Sequence, residues 1–149
     1  MNCQEIDWIV ELINWAKKYK IKNILEISNN NSNKDTEEAL LELSSLYLCN
    51  KNIYTLPDAI INLQNLKCLY LSDNEITVFP TVIFEFEKLE LLDIANNMLT
   101  EIPFEITSLK SLKYLNIFGN KITYLPKFIK FNQLHDFACN GSDILIDVE

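Results

Sequence analysis

The sequence predicts an α/β solenoid: short parallel strands stacked coil on coil into a right-handed superhelix, with a helical cap at the N-terminal end. Three observations predict it. From Leu43 onward, apolar residues recur in fixed columns with a period of 23 residues. All 4 prolines of the chain fall in one of those columns. The segment Gln4 to Lys20, by contrast, carries its apolar residues at helical spacing.

Coils begin at Leu43, Leu66, Leu89 and Leu112, and the fourth, one residue shorter, ends before Leu134. Position 4 holds Leu46, Leu69, Leu92, Leu115 and Phe137, and position 6 holds Leu48, Leu71, Ile94, Ile117 and Cys139. Apolar residues two apart, separated by other types, describe a strand with one buried face. Position 9 holds Asn74, Asn97 and Asn120, whose amides can satisfy backbone groups where the strand turns away. Position 11 (Ile53, Ile76, Leu99, Ile122) and position 14 (Leu56, Phe79, Ile102, Leu125) return to the core. Position 15 holds Pro57, Pro80, Pro103 and Pro126. Proline fixes φ and has no N–H, so it suits a return arm and not a central strand. Ile60, Ile83, Ile106 and Ile129 at position 18, with Leu63, Phe86 and Leu109 at position 21, face the core from a short irregular or 3₁₀ segment. One coil cannot bury these residues alone, and stacking coils does. The array departs from its own pattern at its ends, with Lys51 and Ser142 at position 9, as terminal repeats do.

Written out, L-x-x-L-x-L-x-x-N-x-L-x-x-L-P-x-x-I-x-x-L resembles the leucine-rich repeat family, and the resemblance runs from Leu43 to about Ile144. It implies a parallel sheet lining the concave side of the solenoid and a protein that binds another protein. Proteins with similar repeats include regulators of small GTPases and bacterial effectors directed at host proteins. Effector ligases carry a separate catalytic domain beside the repeats, and no such domain fits in 149 residues.

The expected organisation is a single domain over residues 1–149, with a helical cap and degenerate repeat at 1–42, four repeats at 43–133, and a partial repeat with a C-terminal cap at 134–149. In the cap, Ile6, Ile9, Val10, Ile13 and Ala16 form one helical stripe, and Trp8, Leu12, Trp15 and Tyr19 a second. Together they are too wide for a surface helix and suit one wedged against the first coil. Ile24 to Ile27 reads as a strand, with Leu25 and Ile27 in the core columns of a degenerate repeat. Asn29 to Asp35 reads as a polar loop, and Thr36 as the N-cap of a short helix running through Leu43. Asp143 to Glu149 is expected to extend the sheet edge or to fold over it.

A formal charge of −8 and a pI near 4.7 disfavour nucleic acid and anionic membrane as partners. Glu5, Asp7 and Glu11 interrupt the first apolar residues, so no secretory signal is expected, and the cytoplasm is the expected compartment, with signal-independent secretion as the alternative. Cys3, Cys49, Cys68 and Cys139 match no C-x-x-C or zinc spacing and read as reduced thiols. The abundance of Asn, Lys and Ile points to an AT-rich genome and a bacterial source.

Candidate chemistry is sparse. The one histidine, His135, lies four residues from Cys139, but position 2 and position 6 of a coil do not meet, and Cys139 takes a core column. The glycines, Gly119 and Gly141, both stand at position 8, a turn site suited to positive φ, and form no phosphate loop. Cys49 and Cys68 are offset by about 13 Å along adjacent strands, beyond disulfide reach. The expectation is a non-enzymatic protein with no cofactor and no metal.

What remains is the face opposite the core. Positions 3, 5 and 7 place Tyr47, Tyr70, Leu91, Asp93, Tyr114, Asn116 and Phe118 there, with Asp73 beside them. Strand propensity accounts for tyrosine and phenylalanine as residue types. A cluster of exposed aromatics in adjacent coils also has the composition of an interface hot spot. These eight residues are the candidate partner-binding site. The expected function is a monomeric scaffold or adaptor binding a protein partner that presents a basic anchor. The alternatives are a host-directed bacterial effector, or a fragment of one, and a structural protein that associates with itself.

Overall fold

Every strand residue of the array pairs with the residue one period further on. A computed structural model describes residues 3–30, 32–125, 134–139 and 145–146. In it, β1 (Ser45–Tyr47), β2 (Cys68–Tyr70), β3 (Leu91–Asp93), β4 (Tyr114–Asn116) and β6 (Asp136–Ala138) form a five-stranded sheet in the order β1-β2-β3-β4-β6. All pairings are parallel, and Leu46, Leu69, Leu92, Leu115 and Phe137 lie side by side across it. The sequence column at position 4 is thus a row of the sheet.

The core follows the same columns. Leu46, Leu48, Ile53, Ile60 and Leu63 are fully buried, as are their counterparts Leu69, Leu71, Ile76 and Ile83 one coil later. After Pro57, Pro80 and Pro103 the chain forms 3₁₀ turns at Asp58–Asn62, Thr81–Glu85 and Phe104–Ser108, each contributing its position-18 isoleucine to the core.

Asparagine at position 9 ties neighbouring coils together. Asn97 Oδ1 accepts from Ile76 N–H at 3.0 Å, while its Nδ2 donates to Leu71 O at 3.0 Å and Ile94 O at 3.1 Å. Asn74 and Asn120 repeat the arrangement one coil to either side. All three amides are buried, and they serve backbone groups that no strand partner reaches. Position 8, just before, is left-handed in each coil: Asn50 (φ 54°), Asp73 (58°), Asn96 (51°) and Gly119 (71°). Asparagine, aspartate and glycine tolerate that geometry best. At Gly119 a Cβ would also run into Asn96 Oδ1, so a larger residue there would have to push that side chain aside.

The N-terminal unit is helical throughout. Helix α1 (Cys3–Tyr19) buries Leu12 and Ala16, with Trp8, Ile9, Ile13, Trp15 and Tyr19 packed around them. Val10, expected in the buried stripe, is 50% exposed. The helix ends where Lys20 adopts φ 54° and Ile21 N–H reaches back to Ala16 O at 2.9 Å, a Schellman closure that buries Ile21. It packs against α2 (Lys22–Asn30) and against the first 3₁₀ turn, and α2 packs against α3 (Asn33–Leu41).

Three expectations for this unit are corrected. Residues 24–27 are not a strand but the middle of α2 (Lys22–Asn30), whose Ile24 is fully buried while Leu25 and Ile27 pack at its flank. The polar loop at Asn29–Asp35 shrinks to the short link between α2 and α3 (Asn33–Leu41). Helix α3 is capped by Ser32, whose hydroxyl accepts from Asp35 N–H at 3.4 Å, and it ends at Leu41 rather than Leu43. Thr36, expected as the cap, is buried within that helix.

At the other end, β5 (Tyr124–Leu125) pairs in parallel with β7 (Leu145–Ile146) as a separate two-stranded ribbon. The C-terminal residues described therefore stack beside the ascending arm of the fourth coil and do not extend the concave sheet. Pro126, Ile129, Phe131, Gly141, Ser142 and Ile144 lie outside the described residues.

Candidate partner-binding face

Because positions 4 and 6 are committed to the core, the pleat turns positions 3 and 5 to the opposite face. Sheet register sets them in two rows. One runs Ser45, Cys68, Leu91, Tyr114, Asp136, and the other Tyr47, Tyr70, Asp93, Asn116, Ala138. Tyr47 is 52% exposed and Tyr114 42%, while Tyr70, Leu91, Asp93 and Asn116 are half-buried. Phe118, at position 7, is 54% exposed on the rim, where its counterpart Ala95 is buried.

The two ends of this face are built differently. At the β1–β2 end, the rings of Tyr47 and Tyr70 stack with centroids 4.8 Å apart and planes 6° from parallel. Stacking of this kind contributes roughly 0.5–1.5 kcal/mol beyond the area it covers. Burial, aided by Cys68, Tyr47 and Asp93, pushes the Tyr70 hydroxyl above the usual tyrosine range. At the β3–β6 end lies a depression of about 220 Å³ lined by Tyr70, Leu91, Asp93, Tyr114, Asn116, Asp136 and Ala138, together with Leu92 and Leu115. That is less than the roughly 300–1,000 Å³ of a small-molecule site, and it suits an inserted side chain.

Short-range bonds hold the polar residues in place. Asp93 Oδ1 accepts from Ala95 N–H at 3.2 Å, and Asn116 Oδ1 accepts from Phe118 N–H at 3.1 Å, the same task one coil later. Asp73 Oδ1 accepts from Asn96 Nδ2 at 3.0 Å on the rim. Along position 2, Glu90 is clasped by Lys113 at 2.6 Å and more loosely by Lys67 at 3.9 Å. This pairing lowers the Glu90 carboxyl below its ordinary range and raises Lys113 above its own.

Of the eight residues expected in the site, Tyr70, Leu91, Asp93, Tyr114 and Asn116 converge on the depression. Tyr47 stands one strand outside it, and Asp73 and Phe118 lie along the rim that follows the strands. Asp136 and Ala138 also line the depression and are missing from the site expected from sequence. Their signal was present, since they continue the rows of Tyr114 and Asn116 onto β6. The Glu90 clasp was missed because position 2 precedes the strand and carries no apolar column.

His135 and Cys139 do not form a nucleophilic pair. The His135 ring meets Tyr114 edge-on at 5.7 Å, whereas Cys139 packs against the core, where burial raises its thiol above the usual range. A thiol shifted that way is a poorer nucleophile at neutral pH. Cys49, Cys68 and Cys139 are free thiols. Among the described residues no three His, Cys, Asp or Glu side chains gather as metal ligands do, and no helix is long and apolar enough to cross a membrane.

Residues 10–134 match the family model of the leucine-rich repeat region. The chain belongs to the leucine-rich repeat family. No curated protein matches its sequence. Among solved structures, this leucine-rich repeat chain is similar to a leucine-rich repeat protein of Leptospira interrogans, with 33% identity, a TM-score of 0.56, and coverage of 75% of this chain and 27% of that one. An internalin of Listeria monocytogenes shares the fold at 20% identity and a TM-score of 0.63, over 89% of this chain and 46% of its own. A plant peptide hormone receptor, solved in complex with RGF2, shares it at 21% identity and a TM-score of 0.55, over 70% of this chain and 18% of its own. The chain therefore spans only a part of the length of each of these proteins.

Proposed function

We propose that this protein is a non-catalytic interaction module that seats a protein partner on the concave face of its sheet. The observation that carries the reading is the exposure of Tyr47, Tyr114 and Phe118, beside half-buried Tyr70, on a surface that the core does not use. Burying two or three such rings in a partner would supply most of an interface's affinity. Leucine-rich repeat proteins generally mediate protein–protein contacts, and a plant hormone receptor of this fold was solved with a bound partner. The sheet spans roughly 20 Å from β1 to β6 at ~4.8 Å per strand, which fits a helix or an extended segment rather than a whole domain. The partner-binding residues are Tyr47, Tyr70, Asp73, Leu91, Asp93, Tyr114, Asn116 and Phe118.

The test uses binders selected against the full chain. Tyr114→Ala and Phe118→Ala are expected to weaken them about thirtyfold each, with melting temperatures within a degree or two of the parent. Convex-side changes at exposed Glu87 and Lys110, E87A and K110A, are expected to leave binding unchanged. Binders that depend on the convex residues and ignore the aromatic ones would place the site on the other face.

A further inference from the structure

The depression between β3 and β6 differs from the rest of the face in its charge. Asp93 stands on β3 and Asp136 on β6, two strands and two residues apart by register, or about 12 Å between their Cα atoms. Tyr114 and Asn116 lie on the strand between them. The acid next to the depression, Glu90, already holds two lysines. Among the described residues no cation pairs with Asp93 or Asp136. Asp93 spends one oxygen on the Ala95 N–H, which fixes its orientation, and among the described residues nothing bonds the other oxygen. Two aromatic walls, Tyr70 and Tyr114, complete the lining.

We infer that this depression is a receptor for one basic side chain, an arginine or lysine presented by a protein partner. The inference rests on the proposed binding face and names the chemistry of its occupant. A cation entering here sits between two carboxylates that no described cation neutralises, and its charged head can also meet the tyrosine faces. An acidic or apolar anchor gains neither and sets like charge against like, or removes water from a carboxylate with no return. The volume of about 220 Å³ admits one long side chain and not a folded element. The net charge of −8 draws a basic segment from a distance, so its association rate is expected to fall as salt screens that field.

The probe is a random dodecapeptide library displayed on phage, panned against the full chain and then against D93N, D136N and the double variant. Asn116 holds its own turn with an amide oxygen in the same position as Asp93, so D93N keeps the local bond and removes only the charge. The expected result is a set of peptides sharing one fixed arginine or lysine. They should bind the double variant at least about tenfold more weakly and lose affinity between ~20 mM and ~500 mM salt. Replacing that one residue by glutamine in the peptide should cost the same factor and leave no further effect of the aspartate substitutions. Peptides that need Tyr114 and Phe118 but share no cation and ignore D93N and D136N overturn this inference while the binding face stands. Peptides that ignore the aromatic residues too, or a library with no binder for this face, overturn both.

Discussion

Residues 43–125 and residues 3–42 obey the same physical chemistry, yet their sequences disclose it unequally. In the array, each column of the sequence became one row of the structure: Leu46, Leu69, Leu92 and Leu115 stand side by side, as their spacing requires. In the N-terminal unit, Ile24-Leu25-Glu26-Ile27 has the alternation of a strand but folds as the middle turn of α2. The difference is redundancy. A periodic segment states its register several times, so an accidental substitution in one coil is outvoted by the others. A cap occurs once, and four residues with apolar types at several spacings fit either a strand or a helix.

The largest effect that would sharpen this comparison comes from the ladder. Asn97→Leu leaves the buried Ile76 N–H without a partner and takes one of two amide donors from each of the carbonyls of Leu71 and Ile94, which keep Asn74 and Asn120. At roughly 1–3 kcal/mol for the stranded N–H and about 1 kcal/mol for each of the two lost donations, a loss of about 3 kcal/mol or more is expected in urea denaturation. A loss below ~1 kcal/mol would mean that the ladder is replaceable by water and that the array is held by its apolar columns alone.

Next in size is Leu12→Ala, at the fully buried centre of α1. Deleting that side chain is expected to cost about 2–4 kcal/mol. Because α1 packs on the 3₁₀ turn of the first coil, cap and array should unfold in a single transition that shifts as a whole. Two separated transitions, one unmoved by the substitution, would break the comparison by showing that the cap is a dependent ornament of an independently stable array.

The smallest effect concerns the Glu90 clasp on the surface. The Glu90 carboxyl is lowered, chiefly by its hydrogen bond to Lys113, so its contribution is present above the ordinary carboxylate value and is lost as pH falls through the lowered one. Lys113 is raised by the same bond, and its share is present below the ordinary lysine value and is lost only as pH rises through the raised one. Neutral pH therefore lies inside the stable window from both sides. Glu90→Gln is expected to change the melting temperature barely, and by less still in high salt, because the pair is half-exposed at the surface and screened. A large shift would give the polar edge a structural weight comparable to that of the columns.

The candidate site divides along the same line. Positions 3 and 5 are readable because each core column fixes, by the pleat, what must point the other way, and so Tyr70, Leu91, Asp93, Tyr114 and Asn116 are legible in the sequence. Their convergence was not readable. A list of exposed columns does not say that Asp136 and Ala138 close the depression while Tyr47 stands outside it, since that depends on side-chain size and sheet curvature at one end of the array. Nor does it say which acids are already neutralised: Asp93 and Glu90 look alike in sequence, and only their neighbours 23 residues away separate them.

By itself, then, the sequence determined the coil, its period, its core and the direction of every strand side chain, because these follow from local spacing repeated until no other register fits. The tertiary structure alone decided the helical identity of residues 22–30, the pairing of β7 with β5, and the shape and charge of the depression. These depend on single contacts between segments distant along the chain. A pattern that occurs once carries no second copy against which such a contact can be checked.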